Sequence, residues 1–234
     1  MPADRERAWQ VIRSFVAAWR TPLGPDDGCA ADTLDAAEQR LGLRLPVALR
    51  EAHALLGRRS DLTSVQDQLY TPGQLRLDKA GTVLVYRVEN QHCASWGIRL
   101  TELDQPDPPT VVRREASQQE WRPWLDRVSL AVLEIVLSES IVAGWGRVYA
   151  AFRDLDAATV AQLDQDFSIL AIPAYPMWWD PDGLDGLAVR WFARPDVLLR
   201  KDGDDQAVVV ARTLAAFDEV TKATLPGDWT EFVD

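Results

Sequence analysis

Apolar residues recur at helical spacing from the start of the chain. Trp9, Ile12, Val16 and Trp19 fall on one face, so residues 4–19 read as an amphipathic helix. Arg20 to Ala31 is a connector rich in Pro, Gly and Asp. Asp32 or Thr33 is suited to cap the next helix, which carries Leu34, Ala37, Glu38 and Leu41 and stops at Gly42. Leu43-Arg44-Leu45 leads to Pro46, a residue fitted to the first turn of a helix. Leu49, Ala52, His53 and Leu56 share one face of that helix up to Gly57.

The period then falls to two. Gln74–Asp78, Thr82–Glu89, Ser95–Leu100 and Thr110–Arg113 read as strands, with Lys79-Ala80-Gly81 turning the first into the second. Asp104 to Pro109 holds three prolines and cannot continue a sheet. Helical spacing returns at Leu125, Val128, Val132, Ile135, Val136 and Glu139, and a shorter helix is expected over Asp156–Gln165. Alternation resumes in Ser168–Ala174, Gly186–Ala193, Asp196–Lys201 and Gln206–Arg212. Asp202-Gly203-Asp204-Asp205 reads as a hairpin turn, and Thr213–Thr224 as a closing helix. Grouped helices, then strands, then a helix, then hairpins predict an α+β fold, its mainly antiparallel sheet packed with the N-terminal and central helices. Residues 1–150 are expected to form one α+β domain with an N-terminal helical extension. Residues 151–234 form a C-terminal α+β extension, either a subdomain or part of the same domain.

Composition narrows the class of function. With 47% hydrophobic residues over 234 positions, the chain can bury a core. No apolar run follows the charged start, and the longest apolar stretch, Leu125 to Gly146, contains Asp126, Arg127, Glu134 and Glu139. A secretory signal and a bilayer span are therefore not expected, and a cytoplasmic location is. Cys29 and Cys93 are expected as free thiols in a reducing compartment. The net charge of −11 is uneven: residues 1–115 hold 15 Lys/Arg against 16 Asp/Glu, and residues 116–234 hold 10 against 20. Such a surface repels phosphate backbones, so direct nucleic-acid binding is not expected, whereas a basic protein partner is attracted. The same charge also serves solubility.

The run Leu34-Asp35-Ala36-Ala37-Glu38-Gln39-Arg40-Leu41-Gly42-Leu43-Arg44-Leu45-Pro46 resembles the opening of the SMI1/KNR4 (SUKH) superfamily. That opening is a helix bearing a Glu, a Leu-Gly pair, and a Leu-Pro step into a second helix. The aromatic residue and Asn-Gly that follow in most members are replaced by Ala52 to Leu56 and Gly57-Arg58. Leu84 to Gln91, with its Glu89-Asn90-Gln91, and Trp96-Gly97 resemble the strand, polar turn and tryptophan strand of bacterial members. The resemblance covers about residues 30–100. It implies an α+β module without catalytic activity or cofactor. It also implies a protein partner, most often a toxin domain such as a nuclease or deaminase that an immunity protein neutralises. A regulatory adaptor or scaffold of the same fold is the alternative.

Candidate contact residues follow from the polar turn and the aromatic content. Glu89, Asn90 and Gln91 are placed either to present hydrogen bonds to a partner or to satisfy the backbone where the strand turns. Among ten tryptophans, Trp9, Trp19, Trp96, Trp124 and Trp145 fit core positions. Trp178 and Trp179 stand directly before an acidic segment with Asp180, Asp182 and Asp185; read as a strand, the pair exposes one ring as an anchor for a cationic surface, unless both are buried. That segment fails the calcium-loop template, because Leu184 and Asp185 stand at its fifth and sixth positions. Glu38 reads as structural, pairing with Arg40, Arg44 or the following turn. His92 and Cys93 as strand neighbours point to opposite faces, and His53 reads as a packed core histidine, so a thiol site is not expected. Two His and two Cys give no zinc spacing, and no metal is expected.

Overall fold

A computed structural model describes residues 2–115, 120–143, 149–170, 172–180, 188–203 and 206–231. The chain divides into two compact units, Met1–Val142 and Ala143–Asp234. Both are α+β, each with its own antiparallel sheet.

The first unit opens with α1 (Pro2–Trp19), α2 (Ala31–Leu41), α3 (Val47–Leu56) and the single turn α4 (Ser60–Thr63). Ile12 and Val16 form the buried face of α1. Trp19 is only half-buried and stacks on Phe15 at 5.4 Å, because its turn is the last of the helix and has little above it to pack on. Helix α2 starts at Ala31, without the side-chain cap expected from Asp32 or Thr33. The Cys29 N–H donates to the His53 carbonyl at 2.8 Å, which fixes the entry of the chain two or three residues earlier. Gly42 ends α2 in the left-handed region (φ 67°), where its N–H reaches the Gln39 carbonyl and that of Leu43 reaches Glu38. Pro46 then precedes α3, and its fixed φ of −54° suits a helix start.

The sheet of this unit runs β1 (Gln68–Leu69), β3 (Val83–Val88), β4 (Ala94–Arg99), β5 (Val111–Arg114), β6 (Arg122–Pro123), with β2 (Arg76–Leu77) pairing on β3. All pairs are antiparallel. Register slips by one between Val85 and Arg87, a β-bulge at Tyr86 that increases the local twist. Gly97 is required by close approach: a Cβ there lands 2.2 Å from Val83 Cγ1 and 2.9 Å from the Leu84 carbonyl. The strand β3 is buried throughout, so it does not alternate as a half-exposed strand does.

Helix α5 (Val128–Val142) is the core of this unit. Every residue from Val128 to Ile141 is buried, as an all-round apolar helix must be, and it packs against α1, α3 and α4. Asp107 caps its start, accepting from the backbone N–H and the hydroxyl of Ser129.

In the second unit β13 (Thr230–Glu231), β7 (Tyr149–Asp154), β12 (Gln206–Ala211), β11 (Val197–Asp202), β10 (Ala188–Arg194) and β8 (Ser168–Ile169) lie side by side, and β9 (Tyr175–Pro176) pairs on β10. The strand expected over Ser168–Ala174 is shorter: Ser168 and Ile169 pair with β10, the Leu170 N–H adds one bond to the Trp191 carbonyl, and Pro173 has no N–H to offer a ladder. Strand β7 is invisible to period-two reading because Ala150 and Ala151 lack the bulk that marks a strand; pairing with β12 defines it. Helices α6 (Ala157–Asp166) and α7 (Leu214–Asp218) are capped by Asp156 and Thr213, which accept from the N–H of Thr159 and Ala216. A π-helical segment, Glu219–Thr224, extends α7. Phe192, Leu199, Val209, Phe217 and Leu163 form the shared core. Among the described residues no helix is long and apolar enough to cross a membrane.

His53 on α3 has 0% exposure, and neither ring nitrogen has a hydrogen-bond partner among the described residues. Burial lowers its pKa from 6.5 to about 4. The unfolded chain therefore takes up a proton near pH 6.5 that the folded chain refuses, and stability is complete above that pH and falls as pH drops toward 4. At about 1.4 kcal/mol per unit this amounts to about 3 kcal/mol. Urea unfolding of His53→Leu at the two ends of this window should lose about 3 kcal/mol less than the unaltered chain; equal losses would show that the imidazole is not held neutral.

Candidate protein-binding surface

The polar turn between β3 and β4 rests on a buried charge cluster. Arg87, 2% exposed, donates from Nη1 to Glu134 Oε2 at 2.7 Å and from Nη2 to Asp67 Oδ2 at 3.1 Å, and lies 3.5 Å from Glu139 Oε1. Its guanidinium sits 4.5 Å over the Trp96 ring. The two glutamates come from α5 and Asp67 from the loop before β1, so one cation joins three segments. Glu139 also accepts the backbone N–H groups of Val65, Gln66 and Asp67. Burial works against the charge of Arg87, but Glu134, Asp67 and Glu139 outweigh it and raise its pKa. Burial raises the pKa values of Asp67 and Glu139 despite the cation beside them.

This cluster reaches the turn directly. Asp67 Oδ1 accepts from the Asn90 N–H at 3.3 Å. Glu89 points inward at 6% exposure, its Oε2 accepting from the N–H groups of Gln91 and Cys93. Of the three polar residues read from the sequence, Glu89 thus belongs to the turn itself, while Asn90 and Gln91 stand on the surface with His92. His92 adopts φ 61°, a left-handed conformation that the surrounding bonds hold in place, so it is not in a strand with Cys93. The tip is therefore rigid and polar.

The second candidate lies in the other unit. Trp178 and Trp179 occupy a turn after β9, not a strand. Trp178 is half-buried, Trp179 is 45% exposed, and the Asp180 N–H closes the turn on the Met177 carbonyl at 3.1 Å. Asp182, Asp185 and Trp145 lie outside the described residues.

Other candidates resolve into structural roles. Glu38 accepts the Leu45 N–H at 3.0 Å and pairs with Arg50, not with Arg40 or Arg44, and so clamps the step into Pro46. Cys93 Sγ approaches only the Gln91 carbonyl, at 4.0 Å. Burial raises the pKa of the Cys29 thiol, the reverse of what activates a nucleophile. Among the described residues no group of three or more His, Cys, Asp or Glu is arranged to hold a metal. The cluster around Arg87 was not read from the sequence. Its trace is there: an arginine inside an apolar strand, and two glutamates inside an apolar helix. Compared with protein-family models, curated proteins and solved structures, the chain matches none.

Replacing Arg87 by Met leaves three carboxylates buried without their cation. Urea unfolding should show a loss of about 3–5 kcal/mol, with the amide signals of Asn90, Gln91 and His92 losing their distinct shifts. Stability close to that of the unaltered chain would mean that the cluster does not hold the turn.

Proposed function

We propose that this chain is a non-catalytic protein-binding module of the immunity type, which neutralises a basic toxin domain by covering the surface that domain needs. The reading starts from the resemblance of residues 30–100 to bacterial SUKH members. The observation that carries it further is Trp179, 45% exposed beside Asp180 in a unit with 8 Lys/Arg against 16 Asp/Glu. A large aromatic ring left in water costs hydrophobic free energy, and protein contacts draw much of their affinity from such rings. The surrounding negative charge speeds encounter with a cationic surface and disfavours anionic ones. A toxin that grips nucleic acid carries such a cationic surface. In the first unit Asn90 and Gln91, fixed by the buried cluster, form a separate candidate contact that costs little entropy to hold.

Co-purification from native cells should recover a basic toxin domain, whose toxicity this chain suppresses on co-expression. Binding of the purified pair should weaken as salt rises. Charge reversal at Asp180, Asp182 and Asp185 together with Trp179→Ala should reduce affinity by at least about tenfold, near 1.4 kcal/mol. A partner held with unchanged affinity by that variant would favour the adaptor reading, with acidity serving solubility. Recovery of the free chain alone would remove the immunity reading.

A further inference from the structure

The first unit contains an open cleft of about 590 Å³ along the outer edge of β1. The start of α2 (Ala30, Thr33), Arg58 after α3, the α4 segment through Ser64, and the loop to Gly73 enclose it. The volume is that of a ligand site, within the usual range of about 300–1,000 Å³.

Two features of this cleft point to one kind of occupant. The first is backbone. Gln68 pairs with Val88 and Leu69 with Arg87, and the Tyr70 N–H donates to the Tyr86 carbonyl. In an antiparallel ladder this makes Leu69 a non-hydrogen-bonded position, so its N–H and C=O point away from β3 toward the free edge. Leu69 as a whole is 4% exposed, and what it does expose lines the cleft. An unpaired strand edge of this kind is a template for another extended chain.

The second feature is charge. In a protein with 36 Asp and Glu, none of the residues lining the cleft is acidic. Arg58 is exposed on its wall and makes no ion pair among the described residues. Its neighbour Arg59 contrasts with it, bound to both Asp27 and Asp61. Arg40 braces the far rim, donating to the carbonyls of Pro72 and Leu75, and has no carboxylate partner among the described residues. Arg76 lies over the Tyr70 ring at 5.0 Å and is likewise without one. Three guanidiniums without a carboxylate partner among the described residues thus border this strand edge.

We propose that the cleft beside β1 docks an extended acidic segment of a protein partner, which pairs with the backbone of Leu69 and sets a carboxylate against Arg58. This site uses none of the residues proposed to contact a basic toxin domain, and it selects the opposite charge. Either can fail without the other. Main-chain pairing gives the affinity, the hydroxyls of Thr33, Ser64 and Thr71 offer further hydrogen bonds, and Arg58 excludes basic segments.

The test is titration of the full ¹⁵N-labelled chain with a short capped peptide alternating valine and glutamate. The amide signals of Leu69, Ser64 and Gly73 should move together, and the Leu69 amide should gain protection from exchange. Arg58→Glu, an exposed change whose retained fold is checked by the dispersion of the spectrum, should weaken binding by about tenfold. The same peptide with lysine for glutamate, or N-methylated to block strand pairing, should not bind. Binding by either control at equal strength, or a titration that leaves the Leu69 amide unmoved, overturns the proposal. Inorganic phosphate that reproduces the same shifts would reduce the cleft to a simple anion site and overturn it as well.

Discussion

Arg87 is the point on which the first unit turns. A guanidinium withdrawn from water is tolerable only when its charge is met, and here Glu134, Asp67 and Glu139 meet it, with Nη1 and Nη2 donating to the first two while Nε has no partner among the described residues. Each carboxylate does a second task. Glu134 accepts the Ser138 hydroxyl within α5, Glu139 gathers three backbone amides of the loop before β1, and Asp67 holds the turn after β3. The central helix, the sheet and two connections are thus locked by one network. An apolar core of the same volume packs as tightly, but it does not specify which loop meets which helix. Pairing by charge and hydrogen bond does.

Rigidity of the interior sets the character of the surface. Because Glu89 and Asp67 satisfy the amides of the turn from inside, Asn90, Gln91 and His92 are presented outward with little freedom left to lose on binding. The charge of the molecule is divided along the same lines. Twelve of the 21 arginines among the described residues pair with carboxylates; of the nine that do not, Arg40, Arg58 and Arg76 lie at the β1–β2 edge. The excess of negative charge lies in the second unit, with Trp179 exposed among it. The difference between the two surfaces arises from where ion pairs are completed and where they are not.

The two units also show different ways of covering a sheet. In the first, β3 is buried throughout, with α5 supplying the partners of Arg87. In the second, Phe192, Leu199 and Val209 pack with Phe217 and Val220 in one core, while Trp191 donates its indole N–H to the Tyr175 hydroxyl. Strands covered in this manner are buried on both faces, so the alternation expected over Thr82–Glu89 and Gln206–Arg212 does not appear in the burial of β3 and β12.

The sequence alone determined the α+β class, the long helices and most strands of the two sheets, because those depend on local rules. Gly42 supplies a left-handed residue, Asp156 and Thr213 supply caps, and helical spacing marks α1, α3 and α5; each acts within a few positions along the chain. It also located the polar turn at Glu89, which stands out from its neighbours in polarity, whereas it read Trp178 and Trp179 as a strand and left open whether either ring is exposed. Only the tertiary structure decided that Glu89 faces inward, that Arg87 finds Asp67, Glu134 and Glu139, that β7 is a strand, and that the edge of β1 opens on an arginine without a partner. The contacts of the Arg87 cluster span 20 to 74 positions of chain. No local pattern encodes which distant carboxylate will meet a buried cation; that is fixed when the helix packs on the sheet and water leaves between them.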